Sequence, residues 1–468
     1  MNKKTKILAT LGPASNTPEV IRELIQSGVN IFRLNFSHGS HEEHRERLKM
    51  VRAVASELNV HVGILQDLGG PKIRIGDFTT ETITLERGAS FALTTKEVEG
   101  NEKCVSINYK KLPEEVSLDG RLMLDDGKVE LKIEKIEEDT IHTIVVHGGE
   151  IKSRRGVNAP GANLSIDTLT EKDKRDLLFS PDDPVDFVAL SFVRTATDIE
   201  TLQSELREIK SNAAIVAKIE TTEAIENIDS IIQATDIVMI ARGDLAVEIP
   251  TENVPFQQKE IITKCRELGR SVVVATQMFE SMIQSPVPTR AEVSDVANAV
   301  LDGTDAIMLS GETAVGKYPV ATVRTMSRVA LRTERETAKG MSVQREMQED
   351  ETGAITSVLL ELSEKTEAVA IVTLTEGGAT ARKVSRHRPR APIIALTPSS
   401  ATARQLTISF GVEPVIVRSF VSLDDVLKRT PQVLMDAGCA EPGSQVLLTT
   451  GTSFGSSGST NTVIVLRI

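Results

Sequence analysis

The sequence predicts an α/β protein built on a (β/α)8 barrel, with an all-β domain inserted into it and an open α/β domain at the C-terminal end. Three observations predict it. Short β-branched apolar runs alternate with stretches of helical spacing, the mark of a parallel sheet with crossover helices. That alternation breaks once, between about residues 71 and 166, where the pattern has period two. Three strands precede the break and five follow it, and eight strands each followed by a helix are the arithmetic of a (β/α)8 barrel. A chain of 468 residues is too long for one ordinary core. We therefore expect a barrel over 1–70 and 167–340, an inserted β domain over 71–166, and a C-terminal α/β domain over 341–468.

Each element follows from local pattern. Lys6–Thr10 (KILAT) is an apolar run of strand length, followed by a helix over Pro18–Ser27. Strands at 29–34 and 62–66 flank a charged helix at 41–58. In the inserted segment, TITLERG and RLMLDDGKVELKIEKI alternate apolar and polar residues, and no helical pattern is convincing. Asp126-Gly127 between two such runs is a hairpin signal. The β/α alternation resumes with strands at Phe187–Leu190, 214–217, 237–240, 272–275 and Ala306–Leu309. A charged segment at 335–350 reads as a linker or helix. Beyond it AVAIVTL, PIIAL, EPVIV, QVLLTT and TVIVLRI alternate with helical stretches, as in an open sheet.

Composition narrows the function classes. With 40% hydrophobic and 26% charged residues the chain is ordinary for a globular protein, and the net charge of −12 argues against general affinity for nucleic acid or an anionic membrane. No apolar run reaches the length of a membrane span. Cys104, Cys265 and Cys439 are too scattered for a disulfide framework or a metal site, and fit a reducing, cytoplasmic compartment.

Reactive groups of a barrel enzyme project from the C-terminal ends of its strands. Here those ends carry Arg33, Asn35, Ser37 and His38 after strand two, Asp67 after three, Ser191 after four, and Lys218 and Glu220 at five. Gly243 and Asp244 follow strand six, Thr276 and Gln277 strand seven, and Glu312 strand eight. A polar group after every apolar run makes a lined pocket the better account. Glu220 and Asp244 offer hard oxygen ligands for Mg²⁺ (or Mn²⁺). Lys218, two residues before Glu220, points to the same side of its strand. A lysine beside a divalent ion suits a phosphate or enolate oxygen whose charge changes during reaction. Arg33 and Arg74 supply planar forks for phosphate or carboxylate. His38, His41 and His44 lie on a charged helix start that reads as a solvated face, with His38 alone a site candidate. GETAVGKY (311–318) misses a phosphate-binding P-loop because tyrosine stands at the hydroxyl position, and reads as the phosphate-facing loop after strand eight. The glycine-rich run 450–460 lacks dinucleotide spacing, but its backbone remains a candidate anion nest.

The runs TLGPAS (10–15), FRLNFSHG (32–39), AKIE (217–220), ARGDL (241–245), ATQM (275–278), PTRAEVSDVANAVLDG (288–303) and MLSGETAVGKYP (308–319), in this order, closely resemble the pyruvate kinase family over essentially the whole chain. The resemblance implies phosphoryl transfer from phosphoenolpyruvate to ADP, giving ATP and pyruvate, in a homotetramer. Matched by motif, Glu220 and Asp244 would hold Mg²⁺, and Lys218 would stabilise the phosphoryl group and the enolate. Thr276 would take part in protonating the methylene carbon, with Arg33 and the backbone at Gly243 contacting substrate. Asn35, Phe36, Ser37, His38, Arg74 and Arg155 would face the nucleotide, Arg155 standing where relatives usually carry lysine. The inserted domain would be a β-barrel lid that excludes water.

Departures carry their own expectations. Ala246 replaces a usual glycine near the site. Many relatives have threonine where this chain has Leu68 and glutamate where it has Lys72. That glutamate accompanies a K⁺ ion beside Asn35, Ser37, Asp67 and the Leu68 carbonyl, so we expect Lys72 to serve the pocket and K⁺ not to be required. The loop Thr375, Gly377, Gly378 and Thr380 would hold the phosphate of an allosteric effector. Glu376 within it disfavours fructose-1,6-bisphosphate and leaves AMP or a sugar monophosphate as the expected activator. The competing readings are another Mg²⁺-dependent, enolate-forming barrel lyase and a catalytically silent metabolite sensor.

Overall fold

The computed structural model describes residues 3–337, 351–451 and 460–468. Eight parallel strands, β1 (Lys6–Thr10), β2 (Ile31–Asn35), β3 (Gly63–Asp67), β4 (Phe187–Leu190), β5 (Ala214–Ile219), β6 (Ile237–Ala241), β7 (Ser271–Ala275) and β8 (Ala306–Leu309), close into a barrel as β8 pairs with β1. Their side chains are covered on both faces, which is why they read as unbroken apolar runs. Leu8, Leu65, Phe187, Met239, Val273 and Met308 fill the interior. Ile7, Ile64, Val188 and Val238 point outward into a second layer under the helices.

The barrel's lower rim repeats one device four times. Each even strand is preceded by an amide or acid whose side chain accepts the backbone N–H at the start of a neighbouring odd strand. Asn30 takes Ile7 N (3.1 Å), Asp186 takes Ile64 N (2.8 Å), Asp236 takes Ile215 N (3.0 Å) and Asp305 takes Val272 N (3.0 Å). Donors that the tilted strands would otherwise leave unpaired are thereby satisfied.

The inserted domain forms a six-stranded sheet and a separate two-stranded ribbon rather than one closed barrel. The expected hairpin is present: Arg121–Leu124 pairs antiparallel with Val129–Glu137 around Asp125, Asp126 and Gly127, all at positive φ. One helical turn, Leu112–Glu115, interrupts the strands, where the sequence predicts no helix. Its four residues are too few to show a period, and Leu112 and Pro113 bury against the domain's own core.

The C-terminal sheet runs Val412–Ile416, Ile393–Thr397, Ala370–Leu374, Gln445–Thr450 and Thr462–Arg467, the last antiparallel to its neighbour. It docks under the barrel, where Ile408 enters the interior cluster. Arg404 Nε donates to Asp186 Oδ1 (2.6 Å), and Arg388 makes a fork onto Asp305 (3.1 and 2.9 Å). The expected linker lies outside the described residues from 338 to 350, as does the glycine-rich run from 452 to 459. No described helix is long and apolar enough to cross a membrane.

Candidate active site

The upper rim gathers charges that the lower rim would have paired off. Arg33 on β2 donates through Nε to Asp67 Oδ2 (2.6 Å) at the end of β3 and through NH1 to Thr10 Oγ1 (3.2 Å). Lys218 and Glu220 do leave β5 on one side: Nζ lies 2.9 Å from Glu220 Oε1. The same ammonium donates to Ser191 Oγ (2.7 Å) and lies 3.4 Å from Asp67 Oδ1, an ion pair without hydrogen-bond geometry. Asp67 and Glu220 are each 1% exposed, so these charges act in a low-dielectric setting.

One ammonium therefore serves two buried carboxylates, and the balance is uneven. Burial pushes Lys218 down, but Asp67 and Glu220 outweigh it and hold its pKa above the ordinary lysine value. Burial likewise pushes Asp67 up, and Lys218 with Arg33 more than reverses this. Glu220 is the group left short. Burial, with the nearby charge of Asp244, raises its pKa despite Lys218 and a hydrogen bond from Phe192 N (2.7 Å). An undercompensated carboxylate beside a second one fits a hard divalent cation. Among the described residues no group of three or more His, Cys, Asp or Glu side chains could hold a metal. Two carboxylates completed by substrate oxygens match what Mg²⁺ accepts.

Beyond β7 the backbone is strained. Thr276 and Gln277 both adopt positive φ (67° and 55°), an uncommon state for a β-branched residue. Thr276 Oγ1 accepts from Gly243 N (2.8 Å) and donates to Ala275 O (2.6 Å), which aims the hydroxyl. Buried Arg242 donates to Thr276 O (2.9 Å) while forked onto Asp295 (2.7 and 2.8 Å), clamping the turn from below.

Toward the inserted domain, Lys72, Arg74 and Arg33 converge on His38. Its pKa is lowered by burial first and then by those three cations, an environment suited to a polyanion. Arg74 donates to Arg154 O (2.9 Å), and Arg155 pairs with Asp125 (3.4 Å). A cavity of about 350 Å³ opens between the inserted domain and the barrel, lined by Lys72, Asn158, Phe192, Arg194, Asp244 and Glu248.

Several expectations need correction. His44 is buried, stacked on Phe36 (4.1 Å between ring centroids), and bonded to His38 O; His41 meets Asp176 Oδ1 at 2.8 Å. Of the three histidines, then, only His44 leaves the solvated face for the interior; His41 is partly exposed and pairs with Asp176, and His38 is exposed. Phe36 is 2% exposed, so its ring packs inside rather than facing the nucleotide side; its carbonyl accepts from Lys172 Nζ (2.8 Å). Glu312 turns away from the pocket to accept from Phe279 N and Ser310 N, so the loop after β8 is braced from within. Lys72 is exposed and does not reach Asp67, whose oxygens go to Arg33 and Lys218. Within the expected cation pocket, Asn35 Oδ1 accepts from Ser37 N (3.1 Å) and the Leu68 carbonyl from Ser191 Oγ (2.9 Å). In the effector loop, Thr375 Oγ1 accepts from Gly378 N (2.9 Å), Gly377 O from Arg382 (3.0 Å), and Thr380 meets Thr460 at 2.8 Å. The sequence places Ser191 and Arg242 at strand ends without a role for either, and carries no signal for Glu248. What marks Arg242 is that a charged residue directly follows a fully apolar strand and is itself buried.

Comparison with known proteins bears on this geometry. Residues 2–323 match the family model described as pyruvate kinase, barrel domain, and residues 353–466 the one described as pyruvate kinase, alpha/beta domain. The chain is 44% identical over 467 residues to pyruvate kinase 2 of a Synechocystis species, covering 99% of this chain and 79% of that one. It is 42% identical over 465 residues to a pyruvate kinase of Sporosarcina psychrophila, with 98% and 79% covered. The crystal structure of a pyruvate kinase from Cryptosporidium parvum superposes with a TM-score of 0.92 at 35% identity, covering 99% of this chain and 96% of that one. Two family models spanning both ends of the chain, relatives matched along nearly all of it and a shared architecture lead to one conclusion: the chain belongs to the pyruvate kinase family.

Proposed function

We propose that the cluster of Lys218, Glu220, Asp244, Arg33 and Thr276 is where the family's reaction takes place. As a pyruvate kinase the chain transfers the phosphoryl group of phosphoenolpyruvate to ADP, giving ATP and pyruvate. The P–O bond to the enol oxygen breaks, a bond to the ADP terminal oxygen forms, and the enolate left behind takes a proton at its methylene carbon. Such transfer is catalysed mainly by positioning and charge neutralisation. The observation that carries the proposal is the Lys218 ammonium, fixed between Asp67 and Glu220 at the barrel rim.

Lys218 would meet the negative charge on the transferring phosphoryl oxygens and then on the enolate. Arg33, oriented by Asp67 and Thr10, would hold the phosphate from the nucleotide side. The aimed hydroxyl of Thr276 would lie on the proton-delivering face. Glu220 and Asp244 would hold Mg²⁺ or Mn²⁺, which supplies Lewis-acid neutralisation of carboxylate and phosphate oxygens when bound. His38, Arg74 and Arg155 would line the nucleotide's path, and the inserted domain would exclude water. Pyruvate formation should require both ADP and a divalent cation. Enolate formation or cleavage without ADP would instead favour a lyase.

The regulatory assignments belong to the same reading. Activity should need no added K⁺, because Arg33 and Lys218 already neutralise Asp67 and Lys72 adds charge where relatives carry glutamate. A rise of more than about tenfold on adding KCl to tetramethylammonium buffer at constant ionic strength would reject this. Lys72→Glu should lower activity and make part of it recoverable by K⁺. The loop from Thr375 to Thr380 would bind AMP or a sugar monophosphate, with Glu376 disfavouring fructose-1,6-bisphosphate; titrating each into the assay decides. Sedimentation tests the homotetramer.

A further inference from the structure

We propose that Ser191 is a positioning residue that ties the direction of the Lys218 ammonium to the hinge of the inserted domain. Its hydroxyl has two partners and uses both of its roles. It accepts from Lys218 Nζ (2.7 Å) and donates to the Leu68 carbonyl (2.9 Å). Ser191 is 2% exposed, so no bulk water substitutes for either bond.

The two ends of this relay matter. An ammonium has three N–H groups. Ser191 takes one of them at 2.7 Å. The other two are thereby turned to the side where Glu220 Oε1 and Asp67 Oδ1 stand 2.9 and 3.4 Å from Nζ as ion pairs. An incoming anionic oxygen would be met from that side. At the other end, Leu68 is the first residue past β3, and Gly69, Gly70 and Pro71 follow it into the inserted domain. The hinge also packs on Ser191 directly. Gly70 has φ +64°, and a Cβ there would sit 2.8 Å from Ser191 Cβ. Phe192, the next residue, holds positive φ (56°) and donates its N–H to Glu220. One serine thus contacts the catalytic lysine, the hinge carbonyl and the hinge glycine. A hinge movement that carries the Leu68 carbonyl away releases the hydroxyl to rotate, and the ammonium loses its fixed direction. Ammonium geometry and lid position become one variable, as phosphoryl transfer needs: charge aimed only when water is shut out.

This inference rests on the assignment of Lys218 as the group that meets the reacting oxygens, and a double-mutant cycle separates the two. Lys218→Met, Ser191→Ala and the double variant are assayed for kcat and KM for phosphoenolpyruvate, with hydrogen exchange followed at residues 68–70. Ser191→Ala should lower kcat by about ten- to a hundredfold with KM changed less than threefold, and exchange at the hinge should rise. In the Lys218→Met background Ser191→Ala should cost less than about twofold, because its effect passes through the lysine. Ser191→Cys, which keeps the size but weakens both hydrogen bonds, reports the same partition if the alanine variant does not fold. A multiplicative double variant, or Ser191→Ala and Ser191→Cys both at wild-type kcat, overturns the inference. Wild-type activity in Lys218→Met would instead overturn the functional assignment beneath it.

Discussion

The two rims of the barrel use the same residue types to opposite ends. Below, Asp305 is 3% exposed and accepts from Arg388, Phe410 N and Val272 N; Asp186 is equally buried and is held by Arg404, Arg52 and Ile64 N. Lys6 ends on the Val412 carbonyl at 2.7 Å. Both oxygens of each aspartate are hydrogen-bonded, and the result is a joint between domains. Above, Lys218 is shared between two carboxylates, Asp67 Oδ1 lacks a hydrogen bond, and Glu220 is short of positive charge. The lower-rim aspartates are satisfied by the protein itself, whereas the upper-rim carboxylates share one ammonium and leave room for a ligand's charges. The difference lies in completeness, not in burial or residue type.

That comparison can be broken from either side. Below, Asp305→Ala strands Arg388 without its carboxylate, and breaking a buried pair costs about 3–5 kcal/mol. The urea midpoint should fall sharply, while kcat per folded molecule stays within about twofold. A large fall in kcat with unchanged stability would show that the lower rim also acts on the chemistry. Above, Lys218→Met should do the reverse. Loss of one preorganised group costs ~10²–10³ in rate, while the midpoint should fall less than in Asp305→Ala, because Asp67 keeps Arg33 and Glu220, whose pKa is already raised, can take up a proton. Phosphoryl transfer within tenfold of wild type in a folded variant would reject its role.

Smaller effects appear as opposite pH slopes. Burial pushes Glu248, beside Asn158 of the inserted domain, up to about 7. Between pH ~4.5 and about 7 the folded chain binds more protons than the unfolded one, so this contribution to stability declines as pH rises through that window. Burial pushes Lys6 down to about 8. Between about 8 and 10.5 the unfolded chain binds more protons, and stability rises with pH there. Urea midpoints measured against pH for wild type, Glu248→Gln and Lys6→Met give the two slopes as differences. Matching slopes in Glu248→Gln and wild type below pH 7 would remove Glu248 from the account.

Much of the site was legible before folding because barrel strands are short and straight. A polar residue just after an apolar run must project at the rim, which is how Arg33, Asp67, Lys218, Glu220 and Asp244 could be named. Side-chain direction at turns was not legible. Glu312 follows its strand like the others, yet a tight turn sends it inward to brace Phe279 N. Phe36 follows Asn35 and faces the other way, into the stack with His44. The lower-rim device was present in the text as Thr-Asp before β6 and β8, but nothing in one strand shows whose N–H its aspartate will accept.

By itself the sequence determined the eight strands, the interruption after the third, the open C-terminal sheet and the set of charges at the rim. Those follow from periodicity and from chain direction, which are local. Only the tertiary structure decided how the charges share partners: that one lysine answers two carboxylates, that Arg33 and Lys218 rather than Lys72 neutralise Asp67, and that Ser191 joins the lysine to the Leu68 carbonyl. Sharing is a property of distances between strands far apart in sequence, and burial makes each missing partner count. Those distances exist only once the barrel has closed.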